Sequence, residues 1–113
     1  MPLPTASMLR VIKVAHTVAW AALVAVIFAI PVMAWRNRAT AVAVLTAIML
    51  AEVAVLLLNG WKCPLTILAA RYTDDRRANF DIYLPLWLAA NNKRIFGTIF
   101  VGGLMFSVWR LAR

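Results

Sequence analysis

The chain has little of what a soluble enzyme uses. Among its 113 residues are one cysteine, one histidine, four glycines and four acidic side chains. A single cysteine excludes an internal disulfide. A single histidine excludes a bis-histidine haem within one chain, and no paired Cys or His-x-x-x-His spacing supplies a metal-ligand set. The signatures GxGxxG, P-loop, GxSxG and HExxH are missing, so no nucleotide-binding, hydrolase or metalloprotease motif can be read. Charged residues make up only 14% of the chain, against about 25% in an ordinary globular domain. There is no internal repeat and no low-complexity tract.

What the chain has is apolar surface. It is 65% hydrophobic, with a mean hydropathy of +0.84. Residues 14–35 form an uncharged run of 22, bracketed by Lys13 and Arg36. At about 1.5 Å of rise per residue, such a helix spans roughly 30 Å, the hydrocarbon thickness of a bilayer. A first helix is expected over residues 9–35, with Pro31 in its last turns, where a kink costs little. Arg10 and Lys13 ahead of the run, and Val32-Met33-Ala34 within it, imitate a signal peptide. The run is longer than an ordinary signal core, which favours a retained span.

The linker Arg36-Asn37-Arg38 is so short that the next helix must return antiparallel. That helix is expected over 39–59, carries one charge, Glu52, and is stopped by Asn59-Gly60. Pro64 suits the first position of a short helix over 63–72. Residues 71–77 are a polar turn. Phe80 to Ala90 are apolar but number only 11 and contain Pro85, too few to span unaided. They are expected as a short re-entrant or interfacial helix over 79–91. A last helix is expected over 93–111, its basic ends snorkelling to the two interfaces. The expectation is an all-α fold: a small polytopic membrane helix bundle of three spanning helices plus a short re-entrant or interfacial helix. A four-span variant follows if 79–91 crosses. Residues 1–113 then form a single integral membrane domain with no room for a second, soluble one. Trp35, Trp61 and Trp109 fall at expected helix ends and read as an aromatic belt rather than a ligand box.

Twelve Lys and Arg against four acids give a net charge of +8. On a soluble protein this balance would suggest nucleic acid. Here the basic residues flank the apolar runs, where they set topology and meet anionic lipid, so no nucleic-acid partner is expected. With three spans the N-terminal side holds Arg10, Lys13, Lys62, Arg71, Arg76, Arg77, Lys93 and Arg94. The other side holds Arg36, Arg38, Arg110 and Arg113. Four spans leave the same eight-to-four excess. Both put the N-terminus in the cytoplasm and leave the side of the C-terminus open.

Glu52 is the sharpest single residue, because a carboxylate in hydrocarbon costs at least about 2.5 kcal/mol. It lies six residues before the end of its run, at a depth similar to that of His16 on the neighbouring antiparallel helix. The two are expected to face each other, and Asn59, Cys63 and Asp81 fall at the same end of the molecule. His16, Glu52, Asn59, Cys63 and Asp81 form a candidate polar cluster; the structural alternative is that each is tied to backbone or water. No cofactor is expected, the one alternative being a haem or chlorin with His16 as its axial ligand. Cys63 lacks a local nucleophile motif and is expected to pack at a helix start. The pairs Thr98/Gly102 and Gly103/Ser107, each four apart, mark faces for close helix packing within the chain, on a second copy or on other membrane subunits.

Gly60-Trp61-Lys62-Cys63-Pro64-Leu65-Thr66 resembles the Gly-Trp-x-Cys-Pro-Leu-Thr signature of an uncharacterised family of small bacterial membrane proteins. His16 matches that family's histidine near the start of helix one. Asp81, ahead of Leu84-Pro85, matches its acid. The resemblance runs from about residue 10 to 105. It departs at Ile67-Leu68-Ala69, where family members often carry an acid, and at Glu52, whose counterpart often lies nearer the glycine. It implies a multi-pass protein of the bacterial cytoplasmic (inner) membrane and names no reaction. The functional expectation is a non-catalytic accessory or assembly subunit of a larger inner-membrane complex. The alternative is a redox or proton-handling membrane protein using His16, Glu52 and Asp81.

Overall fold

The computed structural model describes residues 5–113, apart from the side chain of Thr5. It is all-α, with α1 over Thr5–Trp35, α2 over Ala39–Leu58, α3 over Pro64–Ala69 and α4 over Leu86–Ala112. Three helices are long and apolar enough to cross a membrane: Ala6–Trp35, Ala39–Leu58 and Leu86–Ala112, with mean hydropathies of 2.3, 2.6 and 1.6. By length and hydropathy the chain is a multi-pass membrane protein in contact with the lipid bilayer. Exposed apolar side chains such as Val18, Phe28, Leu58 and Met105 suit lipid and would be a liability in water.

The segment expected as a separate helix over 79–91 is not one. Residues 79–84 are turns and bends, and α4 starts at Leu86 and runs without a break through Asn91-Asn92-Lys93-Arg94. Two local features account for the difference. Pro85 does not interrupt a helix but precedes one, its carbonyl accepting the Ala89 N–H at 3.0 Å. That position asks nothing of the N–H that proline lacks. The polar run 91–94 holds neither Gly nor Pro, so it marks an edge of the apolar stretch and not an end of the helix. Asn91 Nδ2 bonds the Trp87 carbonyl at 2.8 Å, and Thr98 Oγ1 bonds that of Arg94 at 2.7 Å, both one turn back. The described residues thus hold three candidate spans, and the four-span variant is not found. The short helix expected over 63–72 is confined to α3.

The helix ends follow from local chemistry. After α1, Asn37 adopts φ 60°, and the Arg38 N–H reaches back to the Met33 carbonyl at 2.9 Å. This is a left-handed stop in which asparagine is tolerated. After α2, Gly60 and Trp61 adopt φ 65° and 68° in succession. The Trp61 N–H closes onto Leu56 O at 2.6 Å. Glycine accepts that conformation freely; for Trp61 it costs about 1–2 kcal/mol.

The residues gather into two compact units. The first draws on residues up to 21 and on 55–91, the second on 22–54 and 92–113. In the second, Ile27, Ile30 and Ala34 of α1 and Val42 and Met49 of α2 form the buried core, with Phe96, Ile99, Phe100 and Phe106 of α4 packed on it. Gly103 is placed so that a Cβ there would lie 3.4 Å from Pro31 Cδ. Ser107, one turn on and 1% exposed, returns its hydroxyl to the Gly103 carbonyl at 2.7 Å. Arg110 covers the end of α1: Nη2 donates to the Trp35 carbonyl at 3.2 Å, and the guanidinium lies 4.8 Å from the indole centroid. In the first unit Ile12, Ala69 and Ile82 are the buried apolar residues, and Asp81 is buried beside them at 5% exposure.

Candidate functional site

The first unit brings together four side chains that can do chemistry: His16 from α1, Cys63 and Thr66 from the first turn of α3, and Asp81 from the turn before α4. The spacing in α1 explains one wall. Lys13, His16 and Thr17 are three and four apart, so they share a helix face. All three hold the segment 79–84. His16 Nδ1 donates to the Asp81 carbonyl at 3.1 Å. Thr17 Oγ1 accepts the Tyr83 N–H at 3.0 Å while donating to Lys13 O at 2.7 Å. The Lys13 ammonium sits 4.4 Å from the centre of the Tyr83 ring. Asn79 closes the turn by donating to Leu84 O at 2.9 Å.

The other wall is α3. Cys63 is its N-cap and Pro64 opens it, as the Cys-Pro order implies. The Cys63 thiol makes no side-chain capping bond and is half-buried. Thr66, three residues on and so on the same side of the first turn, donates its hydroxyl to Asp81 Oδ2. That same carboxylate oxygen lies 3.6 Å from His16 Nδ1. A carboxylate this buried needs donors, and Thr66 and the imidazole are the groups that meet it.

The tautomer of His16 follows from its partner. A backbone carbonyl only accepts, so Nδ1 carries the hydrogen, and in the neutral ring the lone pair sits on Nε2. The imidazole is therefore a base whose orientation is set by one residue, Asp81, through both its carbonyl and its carboxylate.

The sequence cluster is thus partly assembled. His16 and Asp81 meet, and Cys63 opens the helix whose Thr66 meets the same carboxylate. Asn59 belongs to the same unit, but, just past the end of α2, it donates to Val55 O one turn back at 2.8 Å. Glu52 lies on α2 among the residues of the second unit and is partly exposed. The expected partner of His16 Nδ1 is corrected: it is Asp81, 65 positions along the chain, and not Glu52. Depth along a helix does not report a loop folding back onto α1, and here the turn before α4 does so. Sequence reasoning also missed Thr66 and Thr17, whose hydroxyls have no signature, although Thr66 lies in the Cys-Pro-Leu-Thr stretch. Of the small-residue pairs, Gly103 and Ser107 face α1 within the second unit, whereas Thr98 is exposed and Gly102 meets nothing within 4 Å. Among the described residues no group of three His, Cys, Asp or Glu side chains is arranged to hold a metal ion. The chain matches no protein-family model, no curated protein and no solved structure.

Proposed function

We propose that this chain is a proton-handling protein of the bacterial inner membrane, with His16 and Asp81 as the working couple on the cytoplasmic side. One observation carries the reading: the buried Asp81 carboxylate 3.6 Å from the Nδ1 of an imidazole whose tautomer leaves Nε2 as a base. A proton taken at Nε2 makes an imidazolium. The carboxylate beside it stabilises that charge, and Thr66 keeps the carboxylate in place. Glu52, the third member expected from sequence, has no part in the couple. The cytoplasmic placement rests on the eight-to-four excess of basic residues on the N-terminal side. The bacterial inner membrane rests on the resemblance of the Gly60–Thr66 stretch.

The chain holds one histidine, so its imidazole nitrogens can be followed by NMR in micelles without assignment. Asp81→Asn should displace the pH profile of the His16 imidazole signals from that of the native protein, as expected for directly coupled groups. Superimposable titrations would overturn the couple.

A second reading, an accessory or assembly subunit of a larger membrane complex, is favoured by the exposed Thr98–Gly102 face of α4, small enough for close approach of another helix. A partner recovered in fixed stoichiometry, and lost on Gly102→Leu, supports it.

A further inference from the structure

Glu52 is the ionisable group that the proton-handling reading leaves aside, and Arg94 is its complement. Both belong to the second compact unit. Among the described residues the ion pairs are His16–Asp81 and Asp75–Arg77, and the side chains of Glu52 and Arg94 make no hydrogen bond, ion pair or ring contact. An unpaired carboxylate within a span is costly. A long arginine stem can turn its charge toward the headgroups, but two methylenes cannot carry the Glu52 carboxylate about 9 Å to the end of α2. The two charges stand at one level. Glu52 lies thirteen residues beyond Ala39, about 20 Å from the turn between α1 and α2. Arg94 lies nine residues before Gly103, which faces Pro31. That is about 14 Å beyond a contact itself about 6 Å from the same turn. Each charge heads an outward stripe running back toward that turn. On α2 the stripe continues through the exposed Ile48 and Val44, and on α4 through the exposed Thr98 and Val101, one and two turns away in each helix.

We propose that a second copy of this chain covers these stripes, α2 of one copy lying against α4 of the other in a twofold dimer. Copies inserted the same way up share a twofold axis along the membrane normal, so a side chain meets only groups at its own depth. Glu52 and Arg94 satisfy that condition. Each copy supplies both halves, so the interface closes with two Glu52–Arg94 pairs, one on either side of the axis. A guanidinium fork suits a carboxylate in so apolar a setting. Ile48 then packs at the level of Thr98, and Val44 at the level of Val101. The dimer does not draw on the His16–Asp81 couple, and it takes the α4 face that the subunit reading gives to a different protein.

The test uses full-length protein in phosphatidylcholine vesicles, with donor or acceptor fluorophores at the C-terminus, and reads energy transfer as lipid dilutes the protein. The native chain should dimerise, and Glu52→Gln should raise the dissociation constant at least about tenfold. Charge reversal is sharper. Glu52→Arg leaves only cations at the two positions and Arg94→Glu only carboxylates, so each variant alone should be monomeric. An equal mixture of the two should dimerise, because both pairs re-form between unlike copies. A native chain that stays monomeric, a dimer that survives either reversal, or a mixture that does not pair overturns the proposal. Should a reversed chain fail to insert, cross-linking decides. In a Cys63→Ala background, copies carrying Ile48→Cys and copies carrying Thr98→Cys should join through a disulfide on oxidation. No cross-link between them overturns the proposal. None of these results bears on the His16–Asp81 couple, which NMR reads separately.

Discussion

At the scale of single residues, the polar turn before α4 shows how much one pair can do at the surface. Asp75 accepts from three donors of Arg77: the backbone N–H at 2.9 Å, Nε at 3.1 and 3.2 Å to the two carboxylate oxygens, and Nη2 at 2.8 Å. The Arg77 side chain, and then its backbone N–H, hold the Asp75 carboxyl down from 3.8 to about 2, and the Arg77 guanidinium is correspondingly raised. A carboxylate whose value is lowered by folding contributes stability above its unfolded value, and loses it as pH falls through the folded one. The turn should therefore be intact at pH 4 and above and loosen between about 4 and 2. The Asp75 carboxyl carbon followed by NMR should titrate near about 2, and Arg77→Ala should return it to the ordinary carboxylate range. A native titration already near 3.8 would remove Arg77 from the account. Deeper in the unit, residue type alone singled out His16, Cys63 and Asp81, because ionisable and nucleophilic groups are rare in so apolar a chain. Type could not single out Thr66, since a threonine in a helix more often bonds its own backbone, as Thr17 and Thr98 do.

At the scale of elements, α4 carries two adjacent glycines with opposite surroundings. Gly102 meets nothing, while Gly103 stands against Pro31 of α1. Gly102→Ala should stabilise the protein by about 0.5–1 kcal/mol through helix propensity alone. Gly103→Ala places its methyl in ordinary contact 3.4 Å from Pro31 Cδ and should change little. Leucine separates the positions. At 102 it faces outward and is tolerated; at 103 it drives into Pro31 and should cost about 1–3 kcal/mol. Reversible unfolding in micelles measures all four variants, and equal stability of the two leucine variants would refute the α1–α4 contact. The element boundaries were legible where backbone chemistry is local. Asn59-Gly60 stops α2, and Pro64 opens α3. At 91–94 the charged run marks no helix end, and α4 continues through it. Lys, Arg and Asn leave an apolar stretch without leaving a helix, because the backbone bonds one turn back are indifferent to polarity.

At the scale of the whole molecule, three candidate spans lead to the prediction that residues 1 and 113 are read on opposite faces of the membrane. Reporter fusions at residues 1, 37 and 113 should read cytoplasmic, periplasmic and periplasmic. A cytoplasmic reading at both 1 and 113 would mean an even number of crossings, and a full reversal would sink the orientation. The sequence by itself determined that this is an all-α chain with three helices able to cross a bilayer. Hydropathy accumulates residue by residue along a helix of constant rise, so it needs no knowledge of neighbours. Only the tertiary structure decided which polar groups meet. Run lengths alone assign His16 and Glu52 similar depths, but the partner of an imidazole depends on the rotation of its helix and on where a distant loop closes. In this chain the turn at 79–84 folds onto the Lys13–His16–Thr17 face, and Asp81 takes the position at His16 Nδ1. Hydrogen bonds are short-ranged and directional, so a displacement of a few ångström by one loop is enough to exchange one acid for another.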